Sequence, residues 1–327
     1  MPVFVSSLNR SGHLDQVHIT ICNVGSRKLG LEDDYASKGW GIFAPNLTIY
    51  GFDADADACN EANANLEARK VNWTEKHIPL ALSNTVGEST LYVTKNPMCS
   101  SLYAPNEPYL SRFGGLLELV GLDFNLGIET TTLDTFCQLE EIEEIDFLQI
   151  DVQGADLQVL EGGSSILERS VLAVQVEVEF SHLYVDQPLF AEVDNYMRKQ
   201  GFTLFDLSTA RRLRARSPIV STSHPGQLLW GDAFYFRDLL RENLSTDSKA
   251  PERLLKLACL ADIMDFSDYA LELLEYLTLE YGHNEKYNFA NNIIESLAQF
   301  PELVQQGLSS LPVVAKIRDY ITGHDLK

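Results

Sequence analysis

Ile145-Asp-Phe-Leu-Gln-Ile-Asp151-Val-Gln-Gly154-Ala-Asp156-Leu-Gln-Val-Leu-Glu-Gly-Gly163 reads as a buried strand that ends in a carboxylate, turns at a glycine and opens directly into a helix. In open α/β sheets, ligands bind beyond the carboxyl ends of the strands, where loops converge and helix N-termini aim their N–H groups outward. Asp151 then either stands in that crevice or is consumed locally, accepting N–H bonds from the Gly154 turn and capping its helix. Upstream, Leu47-Thr-Ile-Tyr-Gly-Phe-Asp53 repeats the pattern and leads into a helical stretch from Asp57 to Lys70. An acid at position 53 suits ribose hydroxyls, and the competing role is again a helix cap.

Working outward, His18-Ile-Thr-Ile-Cys22 is a short apolar strand running into Asn23-Val-Gly25-Ser26, where glycine permits a tight turn and a close backbone approach to a ligand. Lys76 to Ser83 and Ser89 to Val93 read as two strands joined by a hairpin at Asn84 to Gly87. Met98 to Gly127, rich in Ser, Pro, Gly and Asn, reads as a long, partly helical loop of the kind that forms lids. One amphipathic helix follows through Leu157, Leu160, Ile166 and Leu167, then a strand from Val171 to Glu179. A helix from Leu189 to Gln200, capped by Gly201, precedes strands at Phe202 to Leu207 and Ala233 to Arg237. This alternation predicts an α/β, doubly wound, Rossmann-like sheet, mainly parallel, with the last strand antiparallel at or next to the edge.

At Leu244 to Pro251 a polar linker ends the strand patterns, dividing the chain into 1–238 and a helical extension, 239–327. Leu254, Leu255, Leu257, Ala258 and Ala261 form one stripe and Tyr269, Leu273, Tyr276 and Leu277 another, with Asp265-Phe-Ser-Asp268 supplying caps between them. Further helices are predicted over 286–298 and 313–321. These apolar faces need a partner, either the main domain or a second copy in a homo-oligomer.

With 47 acidic against 25 basic side chains, the net charge of -22 repels phosphate backbones and anionic membrane surfaces, so no nucleic-acid partner is expected. Arg211-Arg212-Leu-Arg214-Ala-Arg216 is the local exception, either a contact for an anionic substrate or a solvated loop. The five scattered cysteines, an odd number without a Cys-x-x-Cys pair, fit a reducing compartment. No stretch approaches the ~18 apolar residues of a membrane span, and a cytoplasmic location is expected.

The turn at Gly25 lacks both phosphate-cradling glycine patterns, which leaves pyrophosphate unsupported. A cofactor with adenosine but no phosphates needs one close backbone approach, an acid for the ribose and apolar walls for adenine, and S-adenosylmethionine has that shape. An unpaired carboxylate late in an apolar strand would cost several kcal/mol, so Glu177 or Glu179 faces a polar site, with Glu177 the choice. His182, just past that strand, is either a general base or a surface histidine. The remaining histidines show no metal-ligand spacing. A divalent metal on Asp151 and Glu177 would suit hard carboxylate ligands, but spacing does not establish one and none is assigned.

Taken in order, several pieces resemble the FkbM-type S-adenosylmethionine-dependent methyltransferases over roughly the first 238 positions: Gly51-Phe-Asp53-Ala-Asp55, Pro79-Leu-Ala-Leu-Ser83, Cys99-Ser-Ser-Leu102 and Thr131-Thr-Leu-Asp134-Thr-Phe. They continue with Ile145 to Gly154, Val176-Glu177-Val-Glu-Phe, Leu183-Tyr184, Gly226-Gln227 and Gly231-Asp232-Ala-Phe. The resemblance implies a class I methyltransferase fold that moves a methyl group to a hydroxyl of a small-molecule or glycan acceptor, typically a sugar or polyketide. It also implies a cofactor loop at Asn23 and Gly25, a ribose acid at Asp53 and adenine-side residues at Ala81 and Leu82. Asp151, Glu177 and Asp232 would line the acceptor side. The family's first loop usually starts with Asp and has a second glycine four residues after the first; here Asn23 starts it and Leu29 stands in that place, with Gly30 one step late. A non-catalytic, methyltransferase-like scaffold that has lost the cofactor is therefore the alternative expectation.

Overall fold

A computed structural model describes residues 2–27, 35, 39–241 and 249–324. Leu29, Gly30 and most of the predicted linker, 244–248, lie outside the described residues. The chain divides into two compact units, one of Thr20–Lys28 and Thr48–Arg237, the other of Met1–Ile19, Leu29–Leu47 and Asp238–Lys327.

The first unit is built on an eight-stranded sheet. Its strands include β1 (Ile19–Val24), β2 (Leu47–Phe52), β3 (Thr74–Ile78) and β7 (Phe147–Ile150), after β4 (Ala81–Leu82), β5 (Gly87–Thr94) and β6 (Leu122–Thr131), which belong to a second sheet. Then come β8 (Ala173–Glu179), β9 (Thr203–Leu207), β10 (Ala210–Arg212) and β11 (Gln227–Phe236). The order is β3-β2-β1-β7-β8-β11, with β9 and β10 both pairing β11. β7 and β8 are buried along almost their whole length, although Gln175, Glu177 and Glu179 alternate along β8, because both faces of the sheet are covered, as a parallel sheet between helices requires. β1, β7 and β8 run parallel in register, and β11 runs antiparallel to β8 next to the edge. The predicted mainly parallel, doubly wound sheet with one antiparallel strand is thus the observed one.

Three local expectations change. The predicted hairpin does not exist: β3 lies in the large sheet, while β4 and β5 lie in a second sheet of order β4-β6-β5, with β6 between them. The predicted partly helical loop at 98–127 holds two short helices, Glu107–Leu110 and Leu116–Val120, but its end is strand, the first half of β6. The predicted helix over 157–167 is two helices, Asp156–Gly162 and Ser164–Arg169, because the Asp134 carboxylate accepts the N–H groups of Ser165 and Ile166, both at 2.9 Å, and starts a new first turn. In the arginine-rich stretch, Arg212 stacks on Trp230 (4.8 Å) and Arg214 on Phe113 (4.5 Å).

The second unit is helical, with Pro251–Ile263, Ser267–Tyr281, Ala290–Leu297 and Pro312–His324 close to the predicted positions. An N-terminal helix, Val5–Arg10, joins them; it is too short to give a periodic signal. The predicted cap at 265–268 differs, since Phe266 holds the N-cap position without a side-chain bond. Asp262, 1% exposed, accepts the N–H groups of Val3, Phe4 and Val5 at 2.8, 2.7 and 2.8 Å. Three N–H groups at and just before the start of the N-terminal helix are thereby satisfied from the tail. Asp262→Ala should cost about 3 kcal/mol, the range for stranding buried donors of a charged acceptor, read as a lowered melting temperature; an unchanged melt would show that the N-terminal helix does not depend on it.

Candidate functional site

Parallel pairing carries the strand ends to one level. Val24 is level with Ile150, and Ile150 with Val176, so Gly25, Asp151 and Glu177 sit side by side at the carboxyl ends of β1, β7 and β8. Asp232 faces Glu177 from β11. Both Gly25 and Ser26 donate their N–H groups to the Phe52 carbonyl at 2.9 Å, which places Asp53 beside the first loop.

A cavity of about 610 Å³ opens above these ends, within the ~300–1,000 Å³ usual for small-molecule sites. Gly25, Asp53, Ala81, Leu82 and Asp151 line it. Asn23, Glu177, His182 and Asp232 are not among its lining residues. Asn23 lies inside β1, opposite Gln149. His182 is exposed, its carbonyl held by Asn106. Asp232 accepts from the Ser208 hydroxyl at 3.0 Å.

At both strand ends a second acid does the local work. Asp55 caps the helix Ala56–Arg69, accepting from Asp57 and Ala58, and pairs with Arg27 at 2.8 Å. Asp53 is left at the cavity, its carboxyl accepting from the Asp55 N–H at 2.8 Å. Burial pushes that carboxyl above the usual range, opposed by the Asp55 N–H and by Arg27. In the same way Asp156, not Asp151, accepts the N–H groups of Val152 (3.1 Å) and Gly154 (2.9 Å) in the turn after β7. Asp151 faces the cavity.

Behind Asp151 stands a network that sequence spacing does not reveal. Gln153, at φ 57°, donates its amide to Asp151 (2.8 Å) and to Glu177 (2.7 Å). The buried Tyr184 hydroxyl lies between Gln153 Oε1 (3.0 Å) and the Cys99 carbonyl (2.8 Å), which turns the Gln153 amide hydrogens toward the acids. Ser101 ties the same turn to the second sheet through the Gln153 carbonyl (2.7 Å). Burial raises the carboxyls of Glu177 and Asp151, and Glu177 donates a hydrogen bond to Asp151. Like charges this close do not ionise together, so the pair retains a proton. Burial, then the Asp151 charge, lifts Asp156 to about 7.

The folded Asp156 carboxyl thus holds its proton more tightly than the unfolded one. Its contribution to stability is complete below about pH 4 and is lost as pH rises to about 7. The melting temperature should fall across that window, and Asp156→Asn, which stays neutral, should flatten the slope. A variant with the wild-type slope would contradict this.

The other wall is the small sheet. Leu91 pairs with Leu126 and Val93 with Phe124, and all four side chains line the cavity. Phe124 is 51% exposed, an open apolar surface of the cavity. Arg27 and Lys95 also line the cavity. Among the described residues, no group of three or more His, Cys, Asp or Glu is placed to hold a metal ion. No helix among them is long and apolar enough to cross a membrane.

This sheet order, with a ligand cavity at the carboxyl ends of β1, β2 and β7, defines the class I, S-adenosylmethionine-dependent methyltransferase fold. The methyltransferase FkbM domain model matches residues 39–204, half of the sequence, and the chain belongs to that family. No curated protein matches. Among solved structures it is similar to methyltransferase FkbM from Methylobacillus flagellatus KT, at 10% identity over 67% of this chain and 43% of that one, TM-score 0.37. Magnesium protoporphyrin IX methyltransferase from Synechocystis PCC 6803, with bound S-adenosylmethionine, is similar at 11% identity over 72% and 76%, TM-score 0.34. TrmK from M. capricolum, in complex with S-adenosylhomocysteine, is similar at 10% identity over 95% and 96%, TM-score 0.37. The assignment rests on the domain match and not on these likenesses.

Proposed function

We propose that this methyltransferase binds S-adenosylmethionine in the cavity between Gly25, Asp53 and Asp151, and methylates a hydroxyl of a sugar, glycan or polyketide-like acceptor. The observation that carries the reading is that a second acid takes the local N–H groups at each strand end, Asp55 by capping its helix and Asp156 by holding the Val152 and Gly154 turn, so Asp53 and Asp151 both face one cavity. Asp53 accepts the ribose hydroxyls, Ala81 and Leu82 bound the adenine, and Gly25 and Asp151 lie toward the methionine and acceptor side. The small lining residues and the acid fit an adenosine without phosphates.

Bound S-adenosylmethionine would supply an electrophilic methyl group. The chain's residues orient the acceptor and take its proton. Asp151, the one of the four predicted catalytic residues that lines the cavity, is the proton acceptor; Glu177 acts through it by sharing a proton, and Gln153 holds the two in register. Asp232 raises the Asp151 carboxyl further by its charge. The platform of Phe124, Leu126, Leu91 and Val93 suits the apolar face of a sugar ring or polyketide and keeps water from the acceptor oxygen. Within 1–238, catalysis belongs to the unit of Thr20–Lys28 and Thr48–Arg237, which the family match at 39–204 overlaps over 48–204, and 239–327 is the helical extension.

Titration calorimetry with S-adenosylhomocysteine tests the reading. Saturable one-site heat is expected. No heat and no thermal shift at millimolar ligand would leave the non-catalytic scaffold. Self-association through the helical tail is read separately by light scattering of the full chain, where a monomer mass would remove it.

A further inference from the structure

Beneath the first loop runs a buried hydrogen-bonded chain that the proposed chemistry does not use. Ser26 Oγ lies 3.1 Å from His77 Nδ1, and His77 Nε2 lies 3.1 Å from Glu75 Oε1. Trp73 donates its indole N–H to Glu75 Oε2 at 2.9 Å. Ser26 and His77 are buried, and the Glu75 side chain is 0% exposed. The His77 backbone is clipped on both sides by one side chain, its N–H donating to Asn63 Oδ1 and its carbonyl accepting from Asn63 Nδ2, each at 2.8 Å. In the tautomer whose Nε2–H donates to Glu75, Nδ1 accepts the Ser26 hydroxyl.

The strand between the two partners is cut away to let them meet. Gly51 of β2 is level with His77. A Cβ there would stand 2.6 Å from His77 Nδ1 and 2.7 Å from Ser26 Oγ, so any other residue at 51 would occupy the contact. The chain also accounts for the alternation of the loop: Gly25 and Arg27 line the cavity and Ser26 does not, its side chain being drawn inward to the imidazole.

We propose that Ser26, His77 and Glu75, with Gly51 as the space that admits them, form a positioning device for the cofactor, setting the loop so that the Gly25 backbone and the Arg27 side chain face the bound nucleoside. It rests on the cofactor reading above. His77 touches no ligand; it acts through Ser26, and Glu75 acts through His77 by fixing which ring nitrogen accepts.

The test is titration of the full-length chain with S-adenosylhomocysteine, alongside thermal melts. Ser26→Ala and His77→Gln should each raise Kd about tenfold, the cost of one buried hydrogen bond to the loop. His77→Asn, whose amide falls where Nδ1 was, should rescue binding to within about threefold of wild type even if its melting temperature drops with the lost Glu75 contact. In the wild-type chain, the ring nitrogen resonances of His77 should shift when S-adenosylhomocysteine is added. A wild type that binds, with all variants at wild-type Kd and unmoved imidazole resonances, overturns the positioning role alone. A wild type that gives no heat overturns the cofactor reading and this role with it.

Discussion

Asp53→Ala is expected to weaken S-adenosylhomocysteine binding about a hundredfold while lowering stability by about 1 kcal/mol or less. A carboxylate that accepts two ribose hydroxyls contributes about 1.5 kcal/mol or more per bond, and 1.4 kcal/mol is a tenfold change in Kd. The small stability effect follows from the division of labour at this strand end. Asp55 caps the helix and pairs with Arg27, whereas Asp53 receives the backbone N–H groups of Asp55 and Arg27 and lines the cavity. Burial of Asp53 also disfavours its charge, so losing the carboxyl relieves a desolvation cost in the empty protein. Calorimetry and a thermal melt on the same sample separate the two effects. A variant that binds as well as wild type removes Asp53 from the site, and one that melts far lower would mean that its role is structural.

Gly25→Ala is expected to act on both stability and binding. At φ 82° an alanine is strained, and its Cβ would lie 1.9 Å from the Asp151 carbonyl oxygen. That oxygen belongs to a residue whose own N–H is bonded to the Val24 carbonyl at 2.9 Å, so the clash cannot be relieved without parting the ends of β1 and β7. Backbone strain and overpacking each cost about 1–3 kcal/mol, which sums to roughly 4 kcal/mol and about a 10 °C fall in melting temperature. Cofactor binding should be lost in the fraction that folds, because Gly25 and Asp151 move together. The sequence suggests that this glycine admits a ligand; its missing side chain instead admits the neighbouring strand end, and the ligand-facing side of the turn is backbone. A variant with wild-type melting and binding would contradict the close packing of the two strand ends.

The central strands are legible in the sequence because apolar residues dominate a strand covered on both faces: only Gln149 interrupts Phe147–Ile150, and Ala173–Glu179 keeps Ala173, Val174, Val176 and Val178 between Gln175, Glu177 and Glu179. Asp53 and Asp151 stood out for the same reason, as charges at the ends of such runs. β6 is harder to read: Leu122-Asp-Phe-Asn-Leu-Gly-Ile-Glu alternates as a strand should, but Asn125 and Gly127 weigh as turn chemistry, and Phe124 and Leu126 face a cavity instead of a core. The capping question at each acid turned on a second acid, Asp55 or Asp156, and only three-dimensional geometry says which member of each pair the backbone takes. Arg27, Gln153, Tyr184 and the Ser26–His77 contact join segments up to 85 residues apart, as in the bond from Tyr184 to Cys99, and leave no local pattern. His182 shows the converse, since a histidine just beyond a functional strand is placed by the following turn, here out to solvent.

The most direct measurement is a crystal structure of the full chain with S-adenosylhomocysteine. The account predicts both ribose hydroxyls within hydrogen-bond distance of the Asp53 carboxylate, the adenine against Ala81 and Leu82, and the sulfur end directed toward Asp151 past the Gly25 turn. Ligand density outside this cavity, or a ribose turned away from Asp53, would contradict it.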